Sequence, residues 1–208
     1  MVVTSTPTEQ RILLQNISWQ LFENLLLELG EHNSHRLAYH KGKLEIMVPL
    51  PEHENSNRMI EALIVALVEV LNLNIKMFGS MTIKRSSMKA GKEPDSCYYI
   101  QNEALVRNKK TLYFNEDPPP DLALEIDISR SSLNQLELYA DLGIKELWIY
   151  DRRTIHFYQL EHGGYVECDR SPTFPILPAS RVIEFLEQCQ TLGVITALRQ
   201  FREWVINQ

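Results

Sequence analysis

Asp121-Leu122-Ala123-Leu124-Glu125-Ile126-Asp127-Ile128 alternates without a break. A period of two is that of a β-strand. Leu122, Leu124, Ile126 and Ile128 take one face, and Asp121, Ala123, Glu125 and Asp127 take the other. Same-face neighbours in a strand lie about 7 Å apart, so three carboxylates line one side. They repel one another, and burying them without partners is costly. Two arrangements relieve that cost. One is a half-exposed strand whose acidic positions face water, which alternation alone favours. The other is a divalent cation, since Mg²⁺ is held by one or two carboxylates together with water and substrate phosphate.

The flanks extend the pattern in both directions. After the strand, the polar run Ser129-Arg130-Ser131-Ser132 opens a helix, with Ser132 and Gln135 at capping-box spacing. Leu133, Leu136, Tyr139, Ala140 and Leu142 form its apolar side and Gly143 ends it. Residues 146–150 are a second strand, paired with 155–159 across Asp151 to Thr154. Strand, helix, strand in this order predicts a βαβ unit with a right-handed crossover. Upstream, strands are expected at 75–78, 81–85 (joined at Gly79-Ser80), 97–101 and 111–114, and residues 115–120 form a proline-rich turn. A long helix over about residues 53–73 precedes them. Its stripe is Ile60, Leu63, Ile64, Leu67 and Leu71, and His53 and Asn57 fall on that stripe at the N-terminal end. Nearer the start, residues 18–29 form a short amphipathic helix stopped by Gly30, and 37–39 and 43–48 form a hairpin across Lys41-Gly42 that Pro49 and Pro51 close. Gly163-Gly164 reads as a hairpin turn. Residues 180–206 are helical with a break at Gly193.

With 208 residues, the chain fits one domain, 1–208, with a core over about 37–160. Hydrophobic content of 44% against 23% charged suits a globular protein with a full core. No apolar run is long enough to span a bilayer, and residues 1–8 lack signal-peptide character, so a cytoplasmic protein without membrane contact is expected. Cys97, Cys168 and Cys189 make neither a disulfide framework nor a Cys-x-x-Cys zinc pair. A net charge of −6 argues against strong non-specific nucleic-acid binding, although two local basic clusters exist: Lys84, Arg85, Lys89 and Lys92, and Arg107, Lys109 and Lys110. There is no glycine-rich phosphate loop and no Gly-x-Ser-x-Gly elbow.

Asp95 follows Pro94 at the head of one predicted strand, and Glu125 lies in the middle of another. If those strands are neighbours, the two carboxylates can share a metal. Phosphodiester hydrolysis uses such a metal to polarise a phosphoryl oxygen and to generate hydroxide near neutral pH. His53 and Asn57, pointing inward at a helix end, suggest a site there, with ordinary capping as the other reading.

Pro94-Asp95 followed by Glu125-x-Asp127 resembles the PD-(D/E)XK nuclease pattern in a modified form. Several stretches together are more specifically similar to the Uma family of restriction endonucleases. They are Gly42-Lys43-Leu44-Glu45-Ile46-Met47 with His53-Glu54, Glu93-Pro94-Asp95-Ser96-Cys97-Tyr98-Tyr99-Ile100, and Pro120-Asp121-Leu122-Ala123-Leu124-Glu125-Ile126-Asp127. Glu137-Leu138-Tyr139 then leads through Gly143-Ile144 to Glu146-Leu147-Trp148-Ile149-Tyr150-Asp151. They stand in the family's order over about residues 10–185.

The resemblance implies an α/β, restriction-endonuclease-like core: a mixed central β-sheet flanked by α-helices, here with an N-terminal helix and hairpin and a C-terminal helix. It implies a metal-dependent DNA endonuclease holding Mg²⁺ or Mn²⁺ between Asp95 and Glu125, with His53 as a further ligand and Asp127 or Asp121 as an extra one. The family's lysine two positions after the glutamate is absent, and Asp127 stands there. Many relatives supply a lysine from the next helix instead, where this chain has Gln135. Asp95, Glu125, Asp127 and Gln135 are therefore the expected catalytic set, and Lys84 or Lys92 is a substitute for the missing charge that sequence does not choose between. The alternative is a weakened or inactive nuclease-fold protein acting as a nucleic-acid-binding or regulatory module. The expected partner is DNA. A homodimer is also consistent with the resemblance, because two sites suit two strands. Phe185, Leu186, Leu192, Phe201 and Trp204 can supply its interface, but packing on their own core is the favoured reading.

Overall fold

The structure, a computed structural model, describes residues 10–30, 35–49, 51–79, 81–127 and 131–208. Residues 1–8, Ser80, Ile128 and the Ser129-Arg130 part of the predicted helix opening lie outside the described residues. The described elements are β1 (Gln10–Leu14), α1 (Trp19–Leu29), β2 (Arg36–His40), β3 (Lys43–Val48), α2 (Pro51–Val70), β4 (Lys76–Phe78), β5 (Ile83–Arg85), β6 (Ala90–Lys92), β7 (Ser96–Tyr99), α3 (Glu103–Val106) and β8 (Leu122–Ile126). They continue with α4 (Gln135–Leu142), β9 (Glu146–Tyr150), β10 (Ile155–Glu161), β11 (Gly164–Cys168), α5 (Ala179–Leu192) and α6 (Val194–Ile206).

The acidic strand, β8, lies inside a six-stranded sheet ordered β11-β10-β9-β8-β7-β4. It runs parallel to β9, with Leu122 opposite Glu146, as a strand–helix–strand connection through α4 requires. The neighbouring pairs are antiparallel, so the sheet is mixed. This corrects the half-exposed reading of β8, whose five residues are all buried. Alternation still sorts the faces, but both are covered.

One face packs Leu122, Leu124, Ile126 and Trp148 against Ile60, Leu63, Ile64 and Leu67 of α2, with Phe185 of α5 and Phe201 of α6 completing the cluster. The C-terminal apolar residues thus pack largely on their own core, while Leu192 remains 49% exposed. Among the described residues no helix is long and apolar enough to cross a membrane.

The other face carries α4 and a second sheet, ordered β1-β3-β2-β6-β5. Ala38, Ile83 and Ala90 of that sheet share a cluster with Cys97, Ala123 and Leu147 of the first and with Leu138, Tyr139 and Leu142 of α4. Behind the second sheet lies α1, with Phe22 stacked on Tyr39 at 5.1 Å. A Cβ at Gly91 would stand 2.5 Å from Phe22 Cε1, so only glycine lets α1 close onto β6.

Several elements depart from expectation. Pro51 opens α2 rather than ending the hairpin, the position where a missing N–H costs nothing. The helix stops at Val70, leaving Leu71 exposed. Asn134, not Ser132, caps α4 by accepting from Glu137 N. Ser131 Oγ and Ser132 N are taken by the Glu45 carboxylate, at 2.9 and 2.6 Å. The strand expected at 111–114 is absent. Asp117 Oδ2 accepts the Tyr113 N–H there and Asp117 N donates back to Tyr113 O, folding the segment into a turn. The short elements β1, β6, β11 and α3 add to those expected.

Candidate active site

Asp95 directly precedes β7, whose Ser96 is opposite Leu124 of β8. The expected neighbouring strands are therefore present. The Asp95 carboxylate is buried and accepts the Ile126 N–H at 2.8 Å, which fixes it against β8 one residue beyond Glu125. The N-terminal turns of α2 reach the same place. His53 Nε2 lies 3.3 Å from Asp95 Oδ2. Asn57, one turn later on the same face, donates to Asp95 O at 3.2 Å and accepts from Ser96 Oγ at 3.0 Å. The inward polar end of the helix thus clamps the start of β7.

Glu125 is 4% exposed and held from two directions. Lys92 of β6 brings Nζ to 3.1 Å from Oε2. Tyr139 of α4 donates its hydroxyl to Oε1. Burial pushes the Glu125 carboxyl up to about 7; the nearby Asp95 charge pushes the same way, against the pull of Lys92 and the Tyr139 bond. The Tyr139 hydroxyl is held well above its ordinary range, by burial first and then by Glu125.

The remaining expected residues separate. Asp127, just past β8, turns to Arg11 at 3.3 Å and accepts Ser131 N at 3.3 Å. Arg11 also meets Glu45 at 2.8 Å, so Asp127 belongs to a strap between β1, β3 and the segment before α4. Asp121 takes the backbone N–H groups of Ile100 and Asn102, at 2.8 and 2.9 Å, and the Asn102 side-chain amide. Gln135 is the first residue of α4 and buried, one turn ahead of Tyr139 on its buried face. Its Oε1 has no hydrogen-bond partner among the described residues. The basic clusters divide as well: Lys84 pairs with Glu23, Arg107 with Glu103 and Lys109 with Asp117, whereas Lys92 points inward.

A family model described as "Putative restriction endonuclease", Uma2, matches residues 19–190. The chain belongs to the Uma2 family. A crystal structure of a putative nuclease belonging to DUF820 from Anabaena variabilis ATCC 29413 superposes with a TM-score of 0.51, over 88% of this chain and 99% of that one, at 16% identity. That likeness shows the fold alone, a mixed sheet flanked by helices. No curated protein matches the chain.

Among the described residues no group of three His, Cys, Asp or Glu side chains is arranged to hold a metal ion. The fit of a divalent cation therefore rests on two carboxylates. Asp95 and Glu125 are hard oxygen donors, and Mg²⁺ takes one or two carboxylates and completes its shell with water and phosphate. Two buried carboxylates against one lysine leave negative charge for a cation to balance. On charge and donor type the residues fit the ion. Sequence reasoning missed Tyr139, read only as part of an apolar side. Its signal is the helical spacing of Gln135 and Tyr139, four apart in the helix that follows the Glu125 strand. Arg11, on an unread strand, left no comparable signal.

Proposed function

We propose that this chain is an endonuclease that hydrolyses DNA phosphodiester bonds with Mg²⁺ or Mn²⁺ at Asp95 and Glu125. The observation that carries the reading is the convergence of Asp95, Glu125, His53 and Lys92, from the residue before β7 and from β8, α2 and β6, at one buried place. Asp95 and Glu125 would hold the ion, which supplies polarisation of the phosphoryl oxygen and an acidified water. Hydrolysis then adds hydroxide to phosphorus and a proton to the leaving oxygen as the P–O ester bond breaks. His53 holds the Asp95 carboxylate in place, the Ile126 N–H fixes its angle, and Tyr139 fixes Glu125. Nucleic acid as substrate rests on the family. The test is nicking of supercoiled plasmid in Mg²⁺ or Mn²⁺ by wild type and Asp95→Ala. Metal-dependent nicking that Asp95→Ala loses supports the reading, and equal rates overturn it.

A second reading is a nuclease-fold module that binds nucleic acid without cutting it. It is favoured by the engagement of both Glu125 oxygens, one by Lys92 and one by Tyr139. Plasmid binding with no nicking in either metal supports that reading.

A further inference from the structure

We infer that Lys92, reaching across from the second sheet, is the catalytic cation of the site and binds the scissile phosphate in place of the absent motif lysine. The inference rests on the nuclease reading above. Three positions compete to supply positive charge beside Glu125. The position two after Glu125 holds Asp127, an anion turned to Arg11. The start of α4 offers Gln135, which is neutral. Among the described residues only β6 places an ammonium there: Lys92 is 3% exposed, with Nζ 3.1 Å from Glu125 Oε2.

The surroundings of Lys92 favour chemistry over scaffolding. Its partners in register are Ala38 of β2 and Ile83 of β5, both apolar and buried, so an aliphatic side chain would suit the sheet. A buried ion pair is a weak source of stability, because desolvation of both charges offsets their attraction. An ammonium carries three N–H donors. Among the described residues Glu125 is the one ion-pair partner of Lys92, which leaves donors for a phosphate oxygen and the attacking water.

The cation is also built in rigidly. Lys92 and Asp95 belong to one short run, Lys92-Glu93-Pro94-Asp95. Glu93 ties that run down, accepting Leu37 N at 3.1 Å and Thr82 Oγ1 at 3.0 Å. The charge and the first carboxylate are thus fixed relative to each other, and Tyr139 fixes the second from the other side. Preorganised charge of this kind stabilises the pentavalent transition state without reorganisation. Lys92 acts through its charge and its N–H donors and transfers no proton.

The experiment compares the wild-type full chain with Lys92→Met, Lys92→Gln and Asp95→Ala. Plasmid nicking is measured in saturating Mn²⁺, and Mn²⁺ affinity by calorimetry. Lys92→Met, which keeps the aliphatic volume, is expected to nick about 100-fold more slowly or worse and to bind Mn²⁺ at least as tightly as wild type. If Lys92→Met fails to fold, Lys92→Gln retains a donor for Glu125 without the charge and carries the same expectation. Near-wild-type nicking by either folded variant with Mn²⁺ bound makes Lys92 a mere counter-ion and overturns the inference. Nicking that Asp95→Ala abolishes and the Lys92 variants leave intact removes Lys92 alone. Wild type that binds Mn²⁺ and plasmid but never nicks removes the nuclease reading itself.

Discussion

Asp121 and Glu125 stand four residues apart on one face of one strand segment, 1% and 4% exposed, and their surroundings have nothing in common. Asp121 is answered by donors from a single nearby segment, the Ile100 and Asn102 N–H groups and the Asn102 amide. It pins the end of β7 to the start of β8. Glu125 is answered by side chains from β6 and α4, and beside it lies a second carboxylate. Glu146, on the adjacent β9, resembles Asp121: Trp148 Nε1, Ser171 Oγ and Thr173 N converge on it at 2.6, 2.6 and 2.7 Å and anchor the loop before α5. The Asp121 and Glu146 carboxylates, which serve the fold, are saturated by fixed neutral donors. The one assigned here to chemistry is crowded by ionisable groups drawn from distant parts of the chain.

The largest expected effect separates these two roles. Glu125→Gln should lower metal-dependent nicking about 1,000-fold, ~4 kcal/mol of barrier, with the fold retained. Asp121→Ala should do the reverse. It strands buried N–H groups and should lower stability by roughly 2–4 kcal/mol in urea unfolding, while the folded fraction nicks at the wild-type rate. Asp121→Ala that unfolds like wild type yet fails to nick would move Asp121 into the site and break the comparison.

Much of this contrast was legible beforehand. Strict alternation gave β8, its faces and the three carboxylates. The resemblance carried by Pro94-Asp95, Glu125-x-Asp127 and the Glu137-Leu138-Tyr139 stretch implied the mixed-sheet core, and helical phase put His53 and Asn57 on the inward face at the N-terminal end of α2. What was not legible is which acid does what, because alternation fixes a face and not a partner. Asp127 sits in phase with Glu125, but β8 ends at Ile126 and the chain turns toward Arg11. The partner strands were hidden for a similar reason. β6 is Ala90-Gly91-Lys92, three residues without alternation or β-branching, and its pairing comes from the tertiary approach of β2, β5 and α1. Sequence therefore left Lys92 in a basic cluster, level with Lys84 as a substitute for the missing lysine.

A mid-sized effect should appear with pH. The Glu125 carboxyl is raised to about 7 in the folded chain from 4.5. A raised acid contributes stability that is full below the unfolded value and lost as pH rises through the folded one. Relative to Glu125→Gln, metal-free wild type should lose roughly 3 kcal/mol between about pH 4.5 and 7 and little beyond. Urea unfolding of both proteins across that range measures the difference. Saturating Mn²⁺ should flatten it if the ion binds Glu125, because a bound cation holds the carboxylate ionised. A pH-independent difference would mean that Lys92 and Tyr139 already balance Glu125 as fully as the neutral donors balance Asp121.

The smallest effect concerns Gln135. By resemblance it occupies a position where relatives carry lysine, and restoring that lysine should help a site that lacks charge. The structure alters the expectation in two ways. Gln135 is the first residue of α4 rather than a capping partner of Ser132, so Gln135→Lys breaks no cap. It does place a cation at the positive end of a helix, which costs about 0.3–1 kcal/mol. More important, Lys92 already brings an ammonium to Glu125. A second cation there should repel the first and change nicking by less than about threefold, under ~0.7 kcal/mol of barrier. Parallel nicking time courses of wild type, Gln135→Lys and the double variant Lys92→Met/Gln135→Lys decide the matter. The double variant should recover part of what Lys92→Met loses, since the lysine on α4 then stands alone beside the phosphate. A rise of tenfold or more in Gln135→Lys by itself would show that Lys92 is committed to Glu125 and leaves the phosphate without a cation. Glu125 would then be held as Asp121 is, by partners that serve the fold.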